Sequence, residues 1–124
     1  MNSKRETGDK GEDIAERHLL DAHYRILDRN FRMPEGELDI VALAPDGKTI
    51  CFVEVKTRSN EIFAPIESAF TEDKRHRMKI LASMYLRTKR MKVPEIRFDF
   101  AAVILHDNAE PELRYYENAF TLTR

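Results

Sequence analysis

Acidic and basic side chains interrupt two otherwise apolar stretches in the first half of this 124-residue chain. The first stretch contains Glu37 and Asp39, and the second contains Glu54 and Lys56. A charge inside a sheet core is costly unless it is paired or binds a ligand. Carboxylate oxygens are ligands that suit Mg²⁺ or Mn²⁺. A divalent metal acting on a phosphodiester is therefore the simplest chemistry that these residues indicate.

The spacing of the two stretches predicts a β-hairpin. Residues 37–44 read ELDIVALA and residues 49–56 read TICFVEVK, with Asp46-Gly47 between them. Asp-Gly between two such runs is a strong hairpin signal. If Asp46 and Gly47 form a two-residue loop, Asp39 lies directly opposite Glu54.

The same register places Glu37 opposite Lys56, so that all four charged side chains project from one face. The other face of the hairpin is apolar and carries Leu38, Ile40, Ala42, Cys51, Val53 and Val55. A type I turn with a bulge at Gly47 is the alternative, and it would shift the register by one residue. We prefer the first register because the alternative scatters the charges.

Two opposed carboxylates repel each other and therefore require a cation. Lys56 would lie beside a metal held by Asp39 and Glu54, where it could orient the attacking water. Glu-x-Lys at a strand end is also typical of a solvated edge. A solvated edge would alternate with polar residues, however, whereas both faces of this hairpin are apolar beyond the charged end, since the charged face continues as Val41, Leu43, Ile50 and Phe52.

Six short motifs, spread over nearly the whole chain, resemble the bacterial YraN family. They are Gly8-x-x-Gly11-Glu12-x-x-Ala15, Arg29-Asn30-Phe31-Arg32, Gly36-Glu37-Leu38-Asp39, Phe52-Val53-Glu54-Val55-Lys56-Thr57-Arg58, Arg97-Phe98-Asp99 and Glu117-Asn118-Ala119-Phe120. That family resembles the PD-(D/E)xK nucleases, and the archaeal Holliday-junction resolvases most closely. The resemblance implies a restriction-endonuclease-like α/β fold with three layers, in which helices flank a mixed β-sheet of about five strands.

The resemblance also assigns roles to individual residues. Asp39 matches the first metal-binding acid, Glu54 the second, and Lys56 the lysine of the motif. Leu38 stands where the superfamily name has proline. Resolvases of this type carry a further glutamate on the first helix, which Glu12 matches. Glu16, one helical turn later, is the possible substitute. A resolvase-like protein is expected to form a two-fold dimer, since symmetric junctions require two cuts.

The net charge of −1 conceals an uneven distribution. Residues 74–92 hold eight Lys or Arg and no acidic residue, whereas the rest of the chain holds thirteen against twenty-two Asp or Glu. Such asymmetry is typical of proteins that bind a polyanion, although helices also carry solvated basic faces. The predicted phosphate contacts are Thr57, Arg58, Lys74, Arg75 and Lys79.

The remaining pattern predicts one domain over residues 1–124. Residues 1–8 are expected to be a flexible arm, followed by a helix from Gly11 to about His23. The buried stripe of that helix is predicted to hold Ala15, Leu19 and Ala22. The other expected elements are a strand at 24–32, a helical turn at 65–70, a helix from the N-cap Thr71 to about Arg90 that Val93-Pro94 ends, and strands at 96–105 and 113–116.

Several features of the sequence indicate the compartment in which the protein works. The single cysteine, Cys51, is predicted to pack in the core and fits a reducing compartment. The polar N-terminus does not resemble a signal peptide, and no apolar run approaches the length of a membrane span. We therefore expect a protein of the bacterial cytoplasm.

The four histidines show no metal-binding spacing. Asp99 is an awkward charge within a strand, which either pairs with a basic residue on a neighbouring strand or supports the site.

The sequence thus predicts a Mg²⁺-dependent endonuclease that acts on DNA, and on branched or junction DNA in particular. Glu37 is expected to pair with Lys56 or Arg58 and to tune the lysine. Two alternatives stay open. One is a nucleic-acid-binding module that kept the nuclease fold and lost turnover. The other is an interaction subunit whose acidic residues meet the arginines of a partner.

Overall fold

The computed structural model describes residues 4–92 and 95–119, with the side chains of residues 4 and 5 excepted. The chain forms α1 (Lys4–Asp21), β1 (Arg25–Met33), β2 (Gly36–Leu43), β3 (Thr49–Arg58), a 3₁₀ turn (Ile66–Ala69), α2 (Glu72–Thr88), β4 (Glu95–Ile104) and β5 (Glu112–Tyr116). The predicted α/β class with a five-stranded mixed sheet is confirmed. The second helix ends at Thr88, two residues before the predicted end at about Arg90, and Arg90 itself has a left-handed backbone with a φ of 53°. Val93-Pro94, which the sequence predicts to end this helix, lies outside the described residues.

The five strands form one sheet in the order β1-β2-β3-β4-β5. The pairs are antiparallel except for β3 and β4, which are parallel and are joined through the 3₁₀ turn and α2. Such a parallel pair requires a crossover connection, which explains why the long basic helix stands between these strands. Within the described residues, no helix is long and apolar enough to cross a membrane.

Each face of the sheet is covered by a helix, so the central strands are apolar on both sides. On one face, α1 packs Ala15 and Leu19 onto the sheet. On the other face, α2 buries Met78, Leu81 and Tyr85, as the helical spacing predicts. Cys51 is completely buried under α1, which confirms its predicted packing role.

The first helix is longer at its N-terminus than predicted and shorter at its C-terminus. It begins at Lys4, so residues 4–8 are helical and the predicted arm is wrong over that range. It ends at Asp21, which leaves the predicted core residue Ala22 exposed. Gly8 and Gly11 disfavour helix by propensity, but helix α1 packs closely on the sheet at Gly11, and that packing outweighs the propensity.

The β2–β3 hairpin has the predicted register, the one that places Asp39 opposite Glu54. Val41 pairs with Phe52, and Leu43 pairs with Ile50. The turn itself differs from the prediction, because residues 45–48 form a four-residue connection rather than a two-residue loop. The carboxylate of Asp46 closes this turn by accepting hydrogen bonds from the backbone N–H groups of residues 48 and 49 and from the Thr49 hydroxyl.

One predicted face assignment is wrong. Leu38 packs with Val41 in the cluster under α2, whereas Ile40 packs under α1. The alternation of β2 is therefore broken at Asp39. On the neighbouring strand, the residue between the paired positions is Asn30, which has a φ of 53° in the left-handed region. The left-handed backbone at Asn30 thus increases the local twist of β1 and β2 at the level of Asp39.

Candidate functional site

The candidate site begins where β2 and β3 separate. Their ladder extends to the pair of Ile40 and Val53. Beyond it, the Asp39 carboxylate accepts a 2.8 Å hydrogen bond at Oδ2 from the backbone N–H of Val55. The Asp39 and Glu54 carboxyl groups lie close enough for each to shift the pKa of the other. The structure therefore brings together the two acidic residues that the hairpin register predicted to meet.

The surroundings of Asp39 and Glu54 disfavour the ionisation of both carboxyl groups at once. Burial, followed by the negative charge of Glu54, raises the pKa of Asp39 to about 8, although the N–H of Val55 acts in the opposite direction. Burial also raises the pKa of Glu54, against the effect of Lys74 and Lys56. Two carboxyl groups that share one site retain a proton to a higher pH than either would alone. A cation is the alternative way to relieve their repulsion.

A third carboxylate approaches from α1 because a glycine lets that helix come close to β3. A Cβ atom added at Gly11 would lie only 1.7 Å from the Thr57 hydroxyl oxygen, so no side chain fits there. The next residue is Glu12. Burial is the largest of the effects that raise its pKa, and the charge of Asp39 raises it further. The close approach at Gly11 thus adds Glu12 to the acidic pair.

Two residues of β1 act on the Glu12 carboxylate. Arg29 donates to it from Nε over 3.3 Å, and the Asn30 side chain lowers its pKa. Arg29 also contacts Asp13 at 2.7 Å and Glu16 at 3.7 Å. The side chain of Glu12 is 13% exposed, against 32% for Glu16. Of the two possible helix carboxylates, the structure places Glu12 beside Asp39.

Lysine side chains supply positive charge on the Glu54 side of the pair. The Nζ atom of Lys74 lies 3.9 Å from Oε2 of Glu54. Lys74 reaches this position because α2 begins here, with the Thr71 hydroxyl accepting a hydrogen bond from the Lys74 N–H over 3.2 Å. The charge of Lys56 lowers the pKa of Glu54, which shows that this lysine also faces the site.

Some of the predicted phosphate contacts have other neighbours. Thr57 packs against Gly11, and Arg58 donates from Nη1 to the Ala64 carbonyl over 3.3 Å. The guanidinium group of Arg75 lies 5.9 Å from the centre of the Phe70 ring. Arg75 lines a separate groove with Phe70, so the structure does not place it with the carboxylates. Lys79 is half-buried on α2.

Glu37 has a partner that the sequence did not suggest. Arg32 donates to Oε2 of Glu37 from Nε at 3.3 Å and from Nη2 at 3.2 Å. The expected partners were Lys56 and Arg58. Glu37 thus pairs with an exposed arginine of β1 and also lines the groove beside the carboxylate pair.

An open groove of about 830 Å³ runs past the carboxylate pair, between β2 and α2. Its lining includes five carboxylates, those of Glu35, Glu37, Asp39, Glu54 and Asp73, and two strongly basic side chains, Lys74 and Arg77 of α2. Because the carboxylates outnumber the basic groups, a negatively charged substrate would enter this groove together with cations that neutralise part of the acidic lining.

Among the described residues, no group of three or more His, Cys, Asp or Glu side chains is placed so that it could hold a metal ion. The donors nevertheless fit a hard cation. Mg²⁺ is usually bound through one or two carboxylates, with waters and substrate phosphates completing its coordination. Asp39 and Glu54 supply those carboxylates.

Asp99 belongs to a different cluster. It is completely buried and accepts hydrogen bonds from Arg97 at 2.9 and 2.8 Å, from the Tyr115 hydroxyl at 2.6 Å and from the Asn118 N–H at 2.9 Å. The basic partner of Asp99 is Arg97, which lies two residues away on the same strand rather than on a neighbouring strand. Every oxygen is satisfied, so this cluster ties β4 to β5.

Arg29 and Asn30 lie beside Glu12, a position that the sequence does not predict for them. Both lie within a motif of the resemblance, but nothing in their spacing links them to Glu12. The available signal was Asn30 itself, since asparagine in the middle of a strand is unusual and favours a left-handed backbone.

Comparison with known proteins gives a consistent family result. The model of the family described as "Uncharacterised protein family UPF0102" matches residues 11–103. A UPF0102 protein of Pelobacter propionicus is 41% identical over 118 residues, covering 95% of this chain and 84% of its own length. One of Dictyoglomus turgidum is 40% identical, covering 97% of this chain and 100% of its own. One of Rhodococcus opacus is 35% identical, covering 91% and 94%.

Proposed function

The chain belongs to the UPF0102 family, which the YraN-like motifs predicted, and from this premise we propose that it is a metal-dependent endonuclease acting on DNA. The observation that carries the proposal is the pair of neighbouring carboxyl groups of Asp39 and Glu54. Their carboxyl groups are held together in an open groove, where both pKa values are raised. A protein that needed only stability would gain by replacing such a pair with apolar residues.

The proposed fold is a restriction-endonuclease-like core. Its support is the mixed sheet of five strands, the parallel pair β3 and β4, and one helix on each face. The acidic residues lie on β2 and β3, where those strands separate. The first helix contributes Glu12 from the opposite face.

In this proposal Asp39 and Glu54 hold Mg²⁺ or Mn²⁺, and Glu12 contributes directly or through water. The bound cation would stabilise charge on the phosphate and lower the pKa of a water. Asp39 keeps its position because the Val55 N–H binds its carboxylate. Glu12 keeps its position because Arg29 binds it.

Lysines act on the substrate side. Lys56 orients the nucleophilic water, since an ammonium group donates up to three hydrogen bonds and accepts none. Lys74 would leave its contact with Glu54 to contact the substrate phosphate. Its present distance of 3.9 Å from Glu54 supports a weak contact that is easily exchanged.

Metal-dependent stabilisation is the first test of the site. Mg²⁺ or Mn²⁺ is expected to raise the melting temperature of the wild-type protein at pH 8, because binding relieves the carboxylate repulsion and stabilises only the folded state. Asp39→Asn should show no such rise, whereas Asp107→Asn, on an exposed loop, should behave as the wild type. An equal rise for wild type and Asp39→Asn would contradict the assignment.

The same preparations test the reaction and the alternatives. Labelled linear, flapped, single-stranded and four-way-junction DNA would be incubated with Mg²⁺ or Mn²⁺. Cleavage by the wild type supports the endonuclease, and the preferred DNA defines its substrate class. Binding without cleavage would identify a nucleic-acid-binding module instead. An interaction subunit would show neither binding nor metal-dependent stabilisation.

A further inference from the structure

A loop beside the site presents two apolar side chains to solvent. Loop 59–65 connects β3 to the 3₁₀ turn, and at its tip Ile62 is 76% exposed and Phe63 is 97% exposed. Phenylalanine is normally buried in folded proteins, so the nearly complete exposure of Phe63 requires an explanation. We call Ile62 and Phe63 the apolar tip.

The loop is held in this conformation by bonds on both sides of the tip. The Glu61 carboxylate binds Arg114 of β5 at 2.6 and 3.1 Å and accepts the Ile66 N–H at 2.9 Å. On the other side of the tip, Arg58 donates to the Ala64 carbonyl. A tip that projects from an anchored loop loses little entropy when it binds, because its backbone is already ordered.

We propose that the apolar tip stacks on an unpaired nucleobase of the DNA, with Phe63 as the stacking residue. The inference rests on the proposed function and names its substrate class, which is DNA that contains an unpaired or splayed base. Bases in a paired duplex already stack on both faces, whereas a base at a branch point or flap lacks a neighbour. Aromatic side chains stack on such bases, and apolar wedges open base steps.

The position of the tip along the chain supports this occupant. Phe63 follows Lys56 by seven residues, which places it within roughly 25 Å of that lysine, about seven base pairs of DNA. The strand between them ends with Arg58, and α2 returns Lys74 to the site. Phosphates bound at the site thus leave bases within reach of the tip.

A second copy of the chain is the less suitable occupant. A stable protein interface buries about 800 Å² on each partner. Two side chains at a loop tip supply only a fraction of that area, because large aromatic side chains bury about 150–250 Å² each. A nucleobase, in contrast, matches the size of one phenylalanine ring.

Fluorescence gives a direct test, because the chain contains no tryptophan. Phe63→Trp would report stacking without any need for cleavage. Leu20→Trp, at a 39% exposed position on α1, is the matched control. Each variant would be titrated in Ca²⁺ with flapped, four-way-junction and blunt duplex DNA. Binding would be followed in parallel by the anisotropy of a dye on the DNA.

The proposal predicts quenching of Phe63→Trp by flapped and junction DNA, little change with blunt duplex, and no change for Leu20→Trp. Phe63→Ala should weaken binding to flapped and junction DNA by roughly 5- to 150-fold, the equivalent of losing one stacked base. Leu20→Ala should bind as the wild type.

Three results would overturn the inference. DNA that binds by anisotropy without quenching Phe63→Trp would exclude stacking and leave the proposed function intact. An equal loss for Phe63→Ala on blunt duplex would exclude selectivity for unpaired bases. An emission shift of Phe63→Trp with protein concentration alone would assign the tip to a second copy. Absence of DNA binding altogether would instead contradict the proposed function, and the inference with it.

Discussion

Asp39 accepts the backbone N–H of Val55 with its side chain at 2.8 Å, at the position where β2 and β3 stop pairing through their backbones. The strands separate here, yet the carboxylate of one strand satisfies the donor that the separation leaves on the other. This bond fixes Asp39 against Glu54 and keeps the two acidic groups from moving apart. The separation of β2 and β3 therefore also sets the position of the two carboxyl groups of the site.

Gly11 should tolerate no side chain. Gly11→Ala is expected to lower the free energy of unfolding by about 1–3 kcal/mol, because an added Cβ would overlap Thr57. Helix propensity alone would predict a gain of about 1 kcal/mol. Gly8→Ala is the matched control in the same helix, since nothing lies within 4 Å of its added Cβ. Urea denaturation should therefore give opposite signs for the two variants, and a stabilised Gly11→Ala would show that α1 does not approach β3 so closely.

The stability of the metal-free protein should depend on pH through Asp39. Its pKa is about 8 in the folded protein and near 3.9 in an unfolded chain. The folded state therefore holds a proton that the unfolded state releases, and this contribution to stability is lost as the pH rises from about 4 to about 8.

Asp39→Asn removes that titration. In EDTA, it should melt above the wild type at pH 8, with the difference shrinking toward pH 5. Asp46→Asn should not share this gain, because hydrogen bonds from residues 48 and 49 lower the pKa of Asp46, which favours the folded state at neutral pH. Thermal melts at several pH values would measure both. A wild-type melting temperature that exceeds that of Asp39→Asn at pH 8 would contradict the raised pKa.

Parts of the site could be predicted from the sequence because they depend on short-range periodicity. The register of the hairpin brought Asp39 and Glu54 together, and the apolar character of both faces identified a central sheet. The face of Leu38 could not be predicted, since the left-handed backbone of Asn30 interrupts the alternation. The partner of Glu12 could not be predicted either, because Arg29 meets it only after α1 docks on the sheet.

The length of α1 shows the same limit. The apolar stripe that predicts this helix begins at Ala15, whereas the helix itself starts at Lys4. Residues 4–10 precede that stripe, so apolar periodicity gives no signal for their helical structure. The 45–48 turn differs from the prediction because the Asp46 carboxylate binds the N–H groups of residues 48 and 49.

Lys74 should contribute one phosphate contact. Lys74→Ala is expected to weaken DNA binding and to reduce the slope of log K against log salt by about 0.9, the value for one released counterion on B-DNA. Lys48→Ala, in the turn between β2 and β3, is the matched control for loss of an exposed lysine. Binding isotherms at four salt concentrations would give both slopes. Identical slopes for Lys74→Ala and the wild type would remove Lys74 from the interface.

Asp99 should matter for stability rather than for chemistry. Asp99→Ala leaves Arg97, which is 20% exposed, without its carboxylate, and should cost about 3–5 kcal/mol. Glu117→Gln changes a 63% exposed partner of the same arginine and should cost less than about 1 kcal/mol. Urea denaturation of both variants tests this difference. Similar losses would show that the burial of the cluster does not set its contribution.

The most direct test of the metal-dependent site is cleavage of labelled four-way-junction and flapped DNA by matched variants in Mg²⁺ or Mn²⁺. Asp39→Asn, Glu54→Gln and Lys56→Ala would be compared with the wild type and with Asp107→Asn, each first shown to be folded by circular dichroism. We expect cutting by the wild type and by Asp107→Asn, and none by the three site variants. Cutting by Asp39→Asn at the wild-type rate would contradict the proposed mechanism.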